Sequence, residues 1–114
     1  MAARDLLSIE DLKALLHQQR NAVAYHYAPA APDSYEDKGG YWTTNPGRAD
    51  RHTGSFVIWL DGRSAGRWND YANGTHGDLL DLIKLSMGCG IVDALREARN
   101  FLGLESRAPA DLAR

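Results

Sequence analysis

The sequence is poor in the features that narrow a protein's chemistry quickly. One cysteine, Cys89, occurs in 114 residues, which excludes an internal disulfide framework and suits a reducing compartment. A structural zinc site needs four Cys or His ligands in paired spacing. His17, His26, His52 and His76 are scattered, with no C-x-x-C or H-x-x-x-H pair, so neither a metal nor another cofactor is expected. No stretch approaches the ~20 apolar residues that span a bilayer. The opening MAARDLLSIED lacks the apolar run of a signal peptide, and the expectation is a soluble, cytoplasmic domain with no membrane partner. Charge of one sign is also missing: 13 Lys and Arg face 15 Asp and Glu, a formal net charge of −2. No global basic field therefore announces nucleic acid. Walker loops, nucleophile elbows and zinc-protease motifs are absent, so the chain is not expected to be an enzyme. His76, Asp78 and Asp81 lie close in sequence, but helix capping explains Asp78 better, and Asp81 has no matching ligand elsewhere.

What is present reads as one globular domain over residues 1–104, followed by a flexible tail over 105–114. Apolar content of 44% and charged content of 25% are ordinary for a packed domain. Ser8 to about Arg20 predicts the first helix, with Ser8 and Asp11 at capping-box spacing and Leu7, Leu12, Leu15 and Leu16 on one face. Ala22 to Tyr27 (AVAYHY) suits a helix or a strand. Ala28 to Gly40, with two prolines, two glycines and several short polar residues, reads as a mobile connecting loop. Tyr41 to Thr44 (YWTT) is a short β-prone segment, and Asn45 to Gly54 is a loop opened by an Asn-Pro-Gly turn. Ser55 to Leu60 (SFVIWL) is the strongest strand, with Phe56, Ile58 and Leu60 on one face and Ser55, Val57 and Trp59 on the other. After the Asp61-Gly62 turn, Arg67-Trp68-Asn69 returns as a third strand. Thr75 and Asp78 have capping-box spacing and predict the entry to a helix carrying Leu79, Leu80, Leu82 and Ile83. Met87 to Gly90 breaks that helix. Ile91 to about Leu102 is the last, with Val92, Leu95, Ala98 and Leu102 near one face and Gly103 suited to its C-terminal cap.

The run Gly66, Trp68, Asp70, Ala72, Gly74, Gly77, Asp78, Leu79, Leu80, Asp81, Leu82 and Ile83, with Thr53 to Phe56 (TGSF) before it, resembles the end of the zinc-ribbon domain of bacterial and phage DNA primases. Asp70 and Asn73 stand where that family has its last two cysteines. The closer likeness is to the zinc-less form of the domain at the front of Toprim-containing primase-like proteins of plasmids and other mobile elements. It spans roughly Tyr25 to Leu104 and is most specific over Ser55 to Ile83. The resemblance implies an α+β fold: a small antiparallel, about three-stranded, zinc-ribbon-like sheet flanked by an N-terminal helix and two C-terminal helices. It also favours a helix over Ala22 to Tyr27. In zinc-finger peptides the metal supplies about 10–16 kcal/mol of apparent binding energy. A metal-free relative must therefore fix its turns otherwise, and Asp70 and Asn73 are read as turn residues that bond nearby amides.

Two functions follow as expectations. From Lys38 to Trp68 the chain carries five Lys and Arg against two Asp, on segments that also bear aromatics. That pattern suits a single-stranded backbone tracked by charge, with bases stacked on rings. Arg48, Arg51, His52, Arg63 and Arg67 are the candidate cations, and Trp42 and Trp59 the candidate stacking rings. The resemblance implies a DNA-binding or regulatory module of a primase-like replication protein, with single-stranded DNA as partner. The alternative is a protein-interaction domain that docks on the Toprim, primase or helicase part of its parent through Tyr25, Tyr27 and the apolar residues of the last helix.

Overall fold

The computed structural model describes residues 7–48 and 52–104. The chain begins with α1 (Ile9–Gln18), and it starts as its sequence predicts. Ser8 Oγ accepts from the Asp11 amide at 3.1 Å, and the Asp11 carboxylate accepts from the Ser8 amide at 3.3 Å. Leu12 and Leu16 turn inward at helical spacing. The axis breaks at Gln19, and α2 (Arg20–Tyr27) follows, so the AVAYHY segment is helical and buries Val23, Ala24 and Tyr27.

Five strands then form one antiparallel sheet: β1 (Tyr35–Asp37), β2 (Gly40–Thr43), β3 (Phe56–Trp59), β4 (Arg67–Asp70) and β5 (Thr75–Asp78). Each pairs with its neighbour in sequence, in the order β1-β2-β3-β4-β5. The fold is α+β, but the sheet has two strands more than the three expected, and four helices stand in place of three.

Both extra strands correct the sequence reading. The stretch Ala28 to Gly40 is not a free connector. It holds β1 and a two-residue hairpin turn, in which Lys38 (φ 51°) and Gly39 (φ 83°) both take the left-handed conformation that a type I′ turn requires. Such a conformation costs a non-glycine residue roughly 1 kcal/mol, which the β1–β2 ladder offsets. Upstream, the Asp33 carboxylate accepts from the Thr53 amide (2.9 Å) and hydroxyl (2.8 Å), tying this stretch to the β2–β3 loop. Those two bonds, the backbone amide first, hold the Asp33 carboxyl below the usual carboxylate range.

At the other edge, Thr75 does not cap a helix; it opens β5. The capping box lies one step later, with Asp78 as N-cap and Asp81 as its return partner (2.9 and 3.1 Å). Gly77 makes this closure fit, because a Cβ there would lie 2.6 Å from Asp81 Cβ. From this cap runs α3 (Leu79–Met87), ended by Gly88 in the left-handed conformation (φ 62°). The last element, α4 (Ile91–Phe101), follows a short turn.

The four helices pack into one layer that shares a buried core with one face of the sheet. Tyr41, Phe56, Ile58, Leu60 and Trp68 point into that layer and meet Leu16, Val23, Leu79, Leu82, Ile83 and Ala98, all buried. The buried Trp68 donates its indole N–H to the Asp78 carbonyl at 2.9 Å, so the ring enters the core with its polar atom satisfied. On α4 the small Ala94 and Ala98 form the buried contact. Val92, expected on that face, is 66% exposed. Among the described residues no helix is long and apolar enough to cross a membrane. The tail expected over 105–114 lies outside the described residues.

Candidate nucleic-acid interface

Among the described residues no helix covers the second face of the sheet, and its side chains follow from strand register. Tyr35 pairs with Trp42, Trp42 with Val57, Val57 with Asn69 and Asn69 with His76. Because side chains alternate along each strand, this row crosses all five strands on the outer face. Trp59 and Arg67 share that face, two residues from Val57 and Asn69. The register that pairs Ile58 with Trp68, carried one residue further, sets them opposite each other.

Trp42 is the hub of this surface. Its ring lies 6.2 Å from Tyr35 with an 11° interplanar angle, and 6.3 Å from Tyr71 with a 25° angle. Trp59 meets it edge to face at 6.0 Å. Beneath the rings Val57 is wholly buried, whereas Tyr35 and Tyr71 are 49% and 62% exposed. The array therefore seals the sheet and still presents aromatic surface to water.

Two details hold Trp59 in place. Its indole N–H donates to Asn69 Oδ1 at 3.3 Å. Its six-membered ring also lies over Gly40, where a Cβ would come within 2.8 Å of both Trp59 Cζ3 and Val57 Cγ2. The glycine in β2 is thus the seat of the neighbouring tryptophan.

The cations expected at this interface fall into different places. Arg67 stands on the outer face at the start of β4, and Arg63 is exposed in the turn between β3 and β4. The Lys38 turn abuts this turn, since the Gly39 carbonyl accepts from the Leu60 and Asp61 amides (2.7 and 3.2 Å). Lys38, Arg63 and Arg67 consequently sit at one end of the sheet. His52 is at the other end, highly exposed and 3.8 Å from the Asp33 carboxylate. Arg51 lies outside the described residues.

Arg48 belongs to a different structure altogether. Its guanidinium binds the Asp70 carboxylate at 2.7 Å, and Asn45 donates to the same oxygen at 2.6 Å. The second oxygen accepts from the Ala72 amide at 2.8 Å. Asp70 is 1% exposed, and burial works against its charge. The Asn45 amide, the Ala72 amide and the Arg48 guanidinium nonetheless hold its carboxyl below the usual carboxylate range. This knot ties the Asn-Pro-Gly-Arg turn to the end of β4. Asn73 Oδ1 accepts from the Thr75 amide (3.0 Å) and hydroxyl (2.6 Å), ordering the next turn. Both residues act on nearby backbone, as expected of turn residues. Among the described residues no three His, Cys, Asp or Glu side chains form a group that could hold a metal ion.

Of the docking face expected around Tyr25, Tyr27 and the last helix, Tyr25 is 38% exposed, whereas Tyr27 is withdrawn into the core. Tyr27 is buried and donates to Glu97 at 2.6 Å, and burial, with that carboxylate, pushes its phenol well above the ordinary tyrosine range. Tyr25 stacks on Tyr41 at 3.9 Å and donates to Glu36. Its phenol is pushed up to about 12, by burial first and then by Glu36. Around the α3–α4 turn Met87, Ile91 and Val92 are exposed.

The sequence reading named Trp42 and Trp59 for this surface but not Tyr35, Tyr71 or Asn69. The signal for Tyr35 was a hairpin, Tyr-Glu-Asp-Lys-Gly-Gly-Tyr-Trp, whose Lys-Gly turn sets Tyr35 opposite Trp42. Tyr71 stands two residues beyond Asn69, at the period of a strand continuing on the same face. Comparison of the chain with protein-family models, with curated proteins and with solved structures gave no match.

Proposed function

We propose that the helix-free face of the sheet binds single-stranded nucleic acid, DNA in the first instance. The chain would then serve as a recognition or regulatory module, without catalysis of its own, in a primase-like replication protein of a phage, plasmid or other mobile element. The observation that carries this reading is the array in which Tyr35, Trp59 and Tyr71 each meet Trp42, on the one sheet face that no described helix covers. Every base has a π-face, so such rings bind strands with little sequence preference, at about 1–3 kcal/mol per stacked base. The 6.2 and 6.3 Å centroid spacings along Tyr35–Trp42–Tyr71 are nearly twice the ~3.4 Å rise of stacked bases, which suits an extended strand. Lys38, Arg63 and Arg67 at one end supply phosphate contacts. The resemblance of 55–83 to the primase ribbon supplies the replication context.

The test is fluorescence anisotropy of a labelled single-stranded oligonucleotide over a salt series. Affinity falling with salt, and a loss of at least about tenfold in Trp42→Ala, are the expected results. Absence of binding at low salt, or unchanged affinity in a folded Trp42→Ala, would sink the proposal. The exposed Met87, Ile91 and Val92 favour a second reading, a protein-docking module for a Toprim or helicase partner. In that case Val92→Asp would abolish co-purification with the partner and leave oligonucleotide binding intact.

A further inference from the structure

The open face of the sheet carries polar atoms as well as rings, and one of them is already committed. Asn69 stands in the row between Val57 and His76, two residues before Tyr71, and its Oδ1 accepts the Trp59 indole N–H at 3.3 Å. An indole N–H can only donate, so the atom facing it is the carbonyl oxygen, and the sense of the Asn69 amide is fixed. Its NH2 group is therefore turned away from Trp59, and among the described residues no acceptor takes it up. Asn69 is only partly buried. Trp42, half-buried beside it in the array, repeats the pattern: its indole N–H has no acceptor among the described residues. The Tyr35 and Tyr71 hydroxyls and the His76 imidazole can donate or accept. The uncharged groups whose sense is fixed, the Asn69 NH2 and the Trp42 N–H, both donate.

We propose that Asn69, seconded by the Trp42 N–H, gives the aromatic face a base preference, for bases that present carbonyl oxygens and thymine above all. This inference rests on strand binding by the open face and adds what the rings do not supply, since stacking accepts every base. Thymine offers the oxygens O2 and O4, whereas adenine offers an amino group and ring nitrogens and no carbonyl oxygen. An amide NH2 brought against the adenine amino group opposes donor to donor, and a donor covered by a base without an acceptor loses its water for nothing. Seating Trp59 is a separate task of the same side chain, and it uses the oxygen alone. Asn69→Asp therefore divides the two: an oxygen still faces the indole, and both donors are gone.

The experiment is fluorescence anisotropy of the full chain with three labelled oligonucleotides of equal length at one low salt concentration. They are oligothymidine, oligodeoxyadenosine, and an oligomer in which difluorotoluene, with thymine's shape but no carbonyl oxygen, replaces the base. Oligothymidine should bind at least about fivefold more tightly than either of the others, the net worth of one hydrogen bond. Asn69→Asp should bring both ratios down toward one and leave tryptophan emission unchanged. Its added negative charge weakens all three complexes alike and cancels in the ratios. Equal, tight binding of oligothymidine and the difluorotoluene oligomer would overturn the inference while strand binding stands. Unchanged ratios in a folded Asn69→Asp would do the same. Failure of all three probes to bind would remove the strand-binding reading and this inference with it. The wild-type comparison with difluorotoluene needs no variant, so it decides the matter where Asn69→Asp unseats the ring.

Discussion

The two faces of the sheet use the same residue types to opposite ends. On the helix-covered face Trp68 is 4% exposed, packs 5.5 Å from Phe56, and donates its N–H to a backbone carbonyl. On the open face Trp42 and Trp59 are half-buried and lean on each other and on two exposed tyrosines. The first arrangement is a core, in which each ring is surrounded and its removal leaves a void. The second is a single layer of rings, with close packing below and water above. An aromatic in the first layer contributes only stability, whereas one in the second, under the proposed function, contributes to recognition as well. Composition cannot separate these roles; position on the strand does.

Substitutions that break the comparison should differ in what they damage. Trp68→Ala is expected to have the largest effect, about 3–5 kcal/mol lost in denaturant unfolding, since the void lies inside the helical layer. Next comes Asp70→Ala, at about 3 kcal/mol, because Asn45 and Arg48 lose the carboxylate they converge on. Asp70→Asn should in addition flatten the acid limb of the stability profile. The folded-state pKa of Asp70 is lowered relative to an unfolded value of ~3.9, so its contribution is present above about pH 4. That contribution is lost as pH falls through the folded pKa. Asp33 and Asp78 are lowered as well, so the difference between wild type and Asp70→Asn, followed by circular dichroism, isolates the one residue. A variant as acid-sensitive as wild type would remove Asp70 from the account.

Smaller effects sharpen the open face. Gly40→Ala should cost about 1–2 kcal/mol by displacing the Trp59 ring. A shift in tryptophan emission is expected, and an unchanged spectrum and stability would contradict the contact. The least effect belongs to Arg63→Ala. Stability should stay within about 0.5 kcal/mol, while the salt slope of oligonucleotide binding drops by about 0.7 if Arg63 holds one phosphate.

Much of the helical layer and the centre of the sheet was legible in the sequence. Ser8 and Asp11 announce α1, and Ser55 to Leu60 alternates as a strand should. The edges were not legible, for two physical reasons. β1 has only three residues, and its turn depends on Lys38 in a left-handed conformation, which sequence preference argues against; the ladder to β2 overrides that preference. β5, Thr-His-Gly-Asp, has poor strand formers, and its Thr-x-x-Asp spacing imitates a helix cap one step before the real one. The candidate site suffered directly, because Tyr35 lies on one of these hidden strands and Tyr71 in the turn leading to the other. The pairing of Arg48 was hidden for another reason. Nothing in a run of loop residues reveals that a carboxylate 22 positions away will claim the guanidinium.

The order of the strands bears on how the chain is assembled in time. Every sheet pairing joins consecutive strands, so the sheet can close hairpin by hairpin from short loops. The helical layer is the reverse: Tyr27 bonds Glu97, and Arg99 reaches the Leu7 carbonyl at 3.3 Å, joining the first helices to the last. During synthesis the aromatic face can therefore form while its supporting layer is still incomplete, and the opposite apolar face of the sheet stays uncovered until α4 has emerged. That interval, rather than the finished fold, is when this protein is most exposed to aggregation.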